Sequence, residues 1–245
     1  MMRECPVCQT SNDDFAIICR SCGGYLQNRV PNLNLFETMW SVFDSPVKAF
    51  RRIGLAEHKN HAVLLFGVFG IACAFTLLWL FRWGEFFDSL LTLIAWGTVL
   101  GAAFGIALHP VVAGTHWIVA KLLGSRRGYR EALGVTAYAL SPIVLSVVLI
   151  LPIELLTFGI YLFTSNPHPY ALNPVSYVVL LGLDVAAGLW SVVLLAVGTR
   201  IAQSMTVGRA LAGSVITAGV IIGLLALVGW EVTRILSVAG IPGLG

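Results

Sequence analysis

Five long apolar runs occupy most of this 245-residue chain and constrain its fold more than any other feature. A helix needs about 20 apolar residues to cross a hydrocarbon core about 30 Å thick. The chain is 58% apolar and only 11% charged, whereas soluble domains carry about 25% charged residues. The runs therefore predict an all-α polytopic membrane protein, built as a five-helix transmembrane bundle.

The second and third runs are longer than one crossing requires, yet neither contains a polar turn that would allow two. Each is interpreted as one tilted or kinked span, because proline removes a helical hydrogen bond and bends a helix. Bends are expected at Pro110 and at Pro142 or Pro152. The five spans are predicted at about residues 62–81, 90–123, 133–163, 175–202 and 210–229, within a membrane domain of residues 55–239.

Basic residues that flank the spans are unevenly divided between the two sides of the predicted membrane. Cytoplasmic loops retain Lys and Arg, so the richer side is predicted to be cytoplasmic. The chain is then a multi-pass cell-membrane protein with its N-terminus in the cytoplasm and its C-terminus outside. The richer side holds ten cations, Lys48, Arg51, Arg52, Lys59, Lys121, Arg126, Arg127, Arg130, Arg200 and Arg209, and the other side holds two, Arg82 and Arg234.

Two Cys-x-x-Cys pairs, Cys5 with Cys8 and Cys19 with Cys22, stand near the N-terminus. Pairs at this spacing are typical of a tetrahedral thiolate site closed on all four sides, which predicts a structural zinc ion. Rubredoxin-like iron and a redox dithiol remain alternatives. Thiolate ligands require a reducing compartment, in agreement with a cytoplasmic N-terminus. Residues 1–25 are therefore predicted to form a small N-terminal zinc ribbon.

A linker over residues 26–34 is expected to let the ribbon range beside the membrane, before two amphipathic interfacial helices within residues 35–54. At 100° per residue, Leu35–Asp44 has an apolar arc on one side and a polar arc on the other, as in helices that lie among lipid headgroups. A Ser-Pro pair then restarts the helix. The apolar arc is Leu35, Phe36, Met39, Trp40, Val42 and Phe43, and the polar arc is Glu37, Thr38, Ser41 and Asp44.

We predict a membrane-surface site made of Trp40 and Phe43 with the cations Lys48, Arg51 and Arg52 of the second helix. Each basic residue near anionic lipid contributes about 1 kcal/mol of attraction. The alternative is that these cations serve only as topology signals.

Four ionisable residues lie at membrane depth: Asp184, Glu154, His109 and His116. Such residues are costly to bury and are candidates for function. In a transporter or channel they would line a path. Alternatively, Glu154 and His116 lie near the headgroups and are merely solvated. The absence of an evident inverted repeat argues against a standard transporter.

Small residues recur every fourth position in two spans, at Gly97, Gly101 and Gly105 and again at Gly219 and Gly223. This spacing lets helix backbones approach closely. The partner is either a helix of the same chain or a second copy, so a homo-oligomer is an open alternative.

The chain carries none of the common catalytic motifs, such as His-Glu-x-x-His or Gly-x-Ser-x-Gly. We therefore expect that it is not an enzyme. A net charge of +3 is too small to suggest nucleic-acid binding.

Two segments resemble the Yip family of five-span membrane proteins. Asp44–Ile53 (DSPVKAFRRI) resembles the Pro-x-x-Ala-Phe-x-x-Ile lead-in to the first span, and Leu123–Leu133 with Tyr138–Pro142 resembles the loop and third-span entry. The likeness covers about residues 34–229, and a zinc ribbon joined to this body resembles the prokaryotic branch. Eukaryotic members are similar to Rab-interacting factors, but their acidic and aromatic N-terminal segments are absent here. The resemblance therefore does not extend to Rab binding.

The resemblance implies an integral membrane scaffold or adaptor, with the bilayer and a cytoplasmic protein as its partners. The alternative is a transporter or channel component. A continuous polar cavity that reaches Asp184 would favour transport, and a closed apolar bundle would favour the scaffold.

Overall fold

The computed structural model describes residues 3–5, 8–13, 16, 18–24, 26 and 32–238. A short antiparallel hairpin pairs β1 (Arg3–Glu4) with β2 (Ser11–Asn12). The rest of the described chain is almost entirely helical. The helices are α1 (Leu35–Asp44), α2 (Pro46–Leu55), α3 (Ala62–Leu80), α4 (Leu90–Leu122), α5 (Tyr129–Ala139), α6 (Ser141–Phe158), α7 (Pro169–Leu172), α8 (Pro174–Ala202) and α9 (Val207–Val238), with 3₁₀ turns at Trp83–Phe86 and Gly159–Phe163.

Five segments of the described chain are long and apolar enough to cross a membrane: α3, α4, residues 129–163, α8 and α9. The predicted fold class and the number of spans are therefore confirmed. The third span is divided where α5 ends, because the helix is interrupted at Leu140 immediately before Ser141 and Pro142. Pro110 and Pro152 lie inside continuous helices. Of the expected bends, the one at Pro142 coincides with a helix break.

The glycine stripe of α4 packs against α3. A Cβ at Gly105 would overlap the Phe66 carbonyl oxygen, and one at Gly101 would lie 2.8 Å from the Ile71 Cα. Because only hydrogen occupies these positions, the two backbones are almost in contact. By contrast, a Cβ added at Gly219 or Gly223 of α9 would meet nothing within 4 Å. The first stripe therefore serves packing within the chain.

The helix α2 is part of the bundle and does not only lie beside it. Phe50 and Ile53 are fully buried in the main hydrophobic core. The Phe50 ring packs on α8 at Gly198, where an added Cβ would lie 2.8 Å from the ring. Gly54 packs against Ala202 of the same helix.

The loops at residues 56–61, 123–128 and 203–206 lie at one end of the bundle, which we call the basic end because the ten cations cluster around it. Lys59 Nζ lies 2.9 Å from the Ala56 carbonyl oxygen and also contacts the Ile53 carbonyl, so it closes the C-terminus of α2. Burial lowers the pKa of Lys59 to about 8. The Tyr138 hydroxyl donates to the Asn60 carbonyl at 3.0 Å, which ties α5 to the α2–α3 connection.

At the opposite end, the loops 81–89 and 159–173 hold each other through polar contacts. Arg82 donates to the Leu162 carbonyl at 3.2 Å and lies 3.0 Å from His168 Nε2. The Ser165 N–H donates to a carboxylate oxygen of Glu85 at 2.8 Å. These contacts fix the connection between the first two spans against the connection between the third and fourth.

Candidate metal centre and membrane-embedded polar residues

The four N-terminal cysteines converge on one point. Their Sγ atoms all lie within 4.8 Å of one another, with 3.5 Å between Cys5 and Cys22 and 3.5 Å between Cys8 and Cys19. Four sulfurs bound tetrahedrally at about 2.3 Å from one metal ion stand about 3.8 Å apart. The cluster therefore has the size and the donor set to hold one metal ion.

Two equivalent backbone turns build this cluster. In each turn, the carbonyl of the first cysteine accepts from the N–H four residues later, Gln9 to Cys5 at 2.8 Å and Gly23 to Cys19 at 3.0 Å. Both donor residues have a positive φ, 57° at Gln9 and 69° at Gly23. Glycine reaches this conformation without steric cost, which explains Gly23 in the second turn.

Hydrogen bonds to sulfur favour the thiolate, which is the form that binds metals. The pKa of Cys19 is lowered to about 6, mainly because the Cys22 N–H donates a hydrogen bond to its sulfur. The side-chain amide of the buried Asn12 donates a second hydrogen bond to this sulfur at 3.5 Å. Hydrogen bonds from Thr10 lower the pKa of Cys8. The Gly24 N–H lowers the pKa of Cys22, but the Cys8 sulfur and burial outweigh it and raise that pKa to about 12. Because like charges crowd here, a fully deprotonated cluster requires a cation.

The end of the predicted linker is attached to the bundle. Leu33 is buried in the main core, Asn32 accepts from the Asn60 side chain at 2.9 Å, and Asn34 caps α1 by accepting from the Glu37 N–H at 3.2 Å. Residues 27–31 lie outside the described chain. Residues 32–34 are therefore held by the bundle and do not belong to a flexible linker. Independent movement of the ribbon stays a prediction.

The helix α1 forms at the predicted bounds, but its apolar arc is divided between two environments. Val42 is fully buried, and Thr38, predicted on the polar face, is only 1% exposed. The outward assignment of Thr38 was wrong, because this side of α1 packs on the bundle. Phe36 and Trp40 are 81% and 75% exposed, and Phe43 is half-buried. The outer edge of α1 is therefore aromatic.

The cations of α2 point away from the core, as the helical pattern predicts. Lys48 and Arg51 are exposed. Arg52 forms an ion pair with Glu37 of α1, which links the two helices.

Two of the four ionisable residues at membrane depth form a pair. The Asp184 side chain of α8 lies near Ser146 and near the Glu154 side chain of α6, close enough for the two carboxyl groups to interact electrostatically. No sequence pattern indicates this partnership, because the residues are thirty positions apart on different helices.

The two histidines belong to separate environments. His116 is fully buried, with Nδ1 at 3.2 Å from Thr217 Oγ1 and Nε2 at 3.0 Å from Thr199 Oγ1. It therefore joins α4, α9 and α8, and it is not solvated near the headgroups. His109 contacts the Ile106 carbonyl of its own helix and lies 6.0 Å from the Phe66 ring. Sequence reasoning missed both threonines, since no motif links them to His116.

An apolar groove of about 560 Å³ lies between α3, α4, α9 and the first 3₁₀ turn. Its lining consists of aliphatic and aromatic residues with two glycines, and Trp83, Phe86, Phe87 and Trp96 form part of it. None of the four ionisable residues lines this groove. It therefore provides no polar path to Asp184.

Five spans, a close-packed core and a four-cysteine cluster define an α-helical multi-pass membrane protein with an N-terminal metal-binding motif. The chain matches the family model of the Yip1 domain over residues 40–229. It therefore belongs to the Yip1 domain family. No curated protein and no solved structure matches the chain. The four cysteines precede the matched region, so the cysteine cluster lies outside the family domain.

Proposed function

We propose that this protein is a membrane scaffold whose N-terminal module holds a structural zinc ion and recruits a cytoplasmic protein partner. The observation that carries this proposal is the position of the cysteine cluster. It is a four-sulfur site just outside a five-span bundle, and few residues separate it from the bundle. Four thiolates leave no open coordination position for catalysis, so the ion would stabilise a binding module. Zinc fits this donor set, with iron as the alternative.

The segment α1–α2 supports the proposal because one side of α1 packs on the bundle and its other side exposes aromatic residues. Thr38 and Val42 fix α1 to the chain, while Phe36 and Trp40 extend outward. Burying each aromatic side chain in lipid would stabilise the attachment by about 1.5–3 kcal/mol. The module would then leave the membrane surface at a defined point, next to Asn32.

The outer edge of α1 is testable by fluorophore quenching in lipid bilayers. A fluorophore attached at Phe36→Cys should be quenched several-fold more by lipid-borne nitroxide than one at Glu37→Cys, which is next in sequence but about 100° around the helix. Adding Trp40→Asp should reduce quenching at position 36. Phe43 is a weaker choice for substitution because it is half-buried. Equal quenching at positions 36 and 37 would show that α1 does not contact lipid.

The proposed orientation places the basic end in the cytoplasm. Single cysteines at Arg126 and Asn166, in a background without native cysteines, should react with an impermeant reagent from opposite sides of sealed membranes. Ser125 is unsuitable because it is only 6% exposed, whereas Arg126 and Asn166 are exposed. Reaction of both from the same side would refute the five-span topology.

A transporter or channel component is the second candidate, and the Glu154–Asp184 pair is the observation that favours it. A carboxyl pair in an apolar bundle can take up and release a proton. Reconstituted protein should then conduct protons or cations, and Glu154→Gln with Asp184→Asn should abolish that flux. The scaffold proposal instead predicts no flux above that of empty vesicles.

A homo-oligomer would place the open Gly219–Gly223 face of α9 against a second copy.

A further inference from the structure

We propose that the basic end carries a binding site for the headgroup of an anionic phospholipid, where the α4–α5 loop meets the start of α9. Its cationic groups are Lys121, Arg126, Arg127 and Arg209, which we call the headgroup cluster. This inference does not rest on the scaffold role. It also concerns a different surface from α2, where Lys48 and Arg51 lie.

The first observation is that two segments distant in sequence are held together here. Gly124 turns the α4–α5 loop with a φ of 98°, and Arg209 Nη1 lies 3.3 Å from the position that a Cβ at Gly124 would occupy. Just below, Leu123 packs on Gly213 of α9 at 3.2 Å from the equivalent position. The Arg209 guanidinium therefore lies against the turn of the loop that carries Arg126 and Arg127.

The second observation is that these cations are exposed and form no ion pair with an acidic residue of the described chain. All four side chains are exposed. In the part of the chain that the structure describes, the ion pairs join Arg52 to Glu37 and Arg234 to Glu231, and neither involves the cluster. Four like charges on adjoining segments repel one another, and a phosphate would reverse that repulsion through charge-assisted hydrogen bonds.

The third observation selects a lipid as the source of that phosphate. Beside the cations, Leu122 is 82% exposed, Val207 59% and Leu211 51%. Leu122 ends α4 and Val207 begins α9, so these side chains lie where the spans meet the headgroup layer. Cations close in sequence to exposed apolar side chains at the ends of the spans match a phosphate attached to acyl chains. A soluble phosphate compound or an acidic peptide would leave the apolar part uncovered.

The test is native mass spectrometry of the full chain in detergent, titrated with phosphatidylglycerol or phosphatidylcholine of the same acyl chains. We expect tighter retention of phosphatidylglycerol. Arg127→Gln with Arg209→Gln should weaken it roughly 30-fold, the factor that corresponds to about 1 kcal/mol for each of two cations. The matched control is Arg200→Gln with Arg234→Gln, which removes the same charge from exposed residues outside the headgroup cluster and should cause less than a three-fold change.

Further measurements distinguish a specific headgroup site from general attraction between the cations and anionic lipid, and from unfolding of the variants. Arg127→Lys with Arg209→Lys should retain most of the preference, and all variants should keep the melting temperature of the wild type. Soluble glycerol phosphate should not displace the lipid. Equal affinity for both lipids, an equal loss in the two Gln double variants, or displacement by glycerol phosphate would each overturn the proposal.

Discussion

Replacement of Cys19 by alanine is expected to abolish metal binding, from one zinc ion per chain to none. Its buried sulfur is one of the four donors of the cluster, 3.5 Å from that of Cys8 and 3.5 Å from the Asn12 amide. Structural zinc ions contribute about 10–16 kcal/mol to the folding of small domains. The N-terminal core around the cysteines is small, with Leu26 as its other buried hydrophobic residue among those described. The hairpin and both turns should therefore unfold with the site.

The metal content of protein purified without chelators measures this effect, together with protease resistance of residues 1–26. Cys73→Ala is the control, because Cys73 is 4% exposed within α3 and is far from the cluster in sequence. It should keep one metal ion per chain. Iron in place of zinc would correct the identity of the ion and keep the site. Metal-free wild-type protein would refute the site itself.

Gly105→Ala is expected to cause the largest loss of stability within the membrane domain. The new methyl group would overlap the Phe66 carbonyl oxygen and lie 2.7 Å from the Gly70 Cα. Both obstacles are backbone atoms, so α3 and α4 must separate to accommodate it. Overpacking of a core lowers the free energy of unfolding by about 1–3 kcal/mol and sometimes more. Because the new methyl group meets backbone atoms that cannot rotate away, we expect a loss at or above the upper end of this range.

Gly114→Ala in the same helix is the matched control. No atom lies within 4 Å of its added Cβ, and alanine is the better helix former by about 1 kcal/mol. Thermal unfolding in detergent should show a clear decrease for Gly105→Ala and no decrease for Gly114→Ala. Similar melting temperatures for the two variants would show that α3 and α4 are not in close contact.

Much of this fold could be predicted because the relevant signals are local. The length of an apolar run sets the number of spans, and the bounds of α1 follow from its helical pattern of apolar residues and from the Ser-Pro break. The two Cys-x-x-Cys pairs specify their own turns. Each of these features depends on residues close together in the chain, where spacing alone limits the conformations available.

The environment of each side of α1 could not be predicted from the sequence. A helical wheel separates apolar from polar side chains, but it cannot show that one apolar arc meets two environments. Val42 and Thr38 face the bundle, whereas Phe36 and Trp40 face outward. Thr38 was assigned to the wrong side because a small hydroxyl side chain is tolerated at a close helix contact, a choice that depends on the neighbouring helices.

By itself, the sequence determined the membrane class, the five spans, the cysteine motif and the concentration of cations near one end. The tertiary structure decided which distant residues meet: Glu154 with Asp184, His116 with Thr199 and Thr217, and Arg209 with the Gly124 turn. It also decided that the glycines of α4, and not those of α9, pack within the chain. The physical reason is that apolar spans are alike in composition. Their partners are therefore selected by shape and by the few polar groups that must be satisfied across helix contacts.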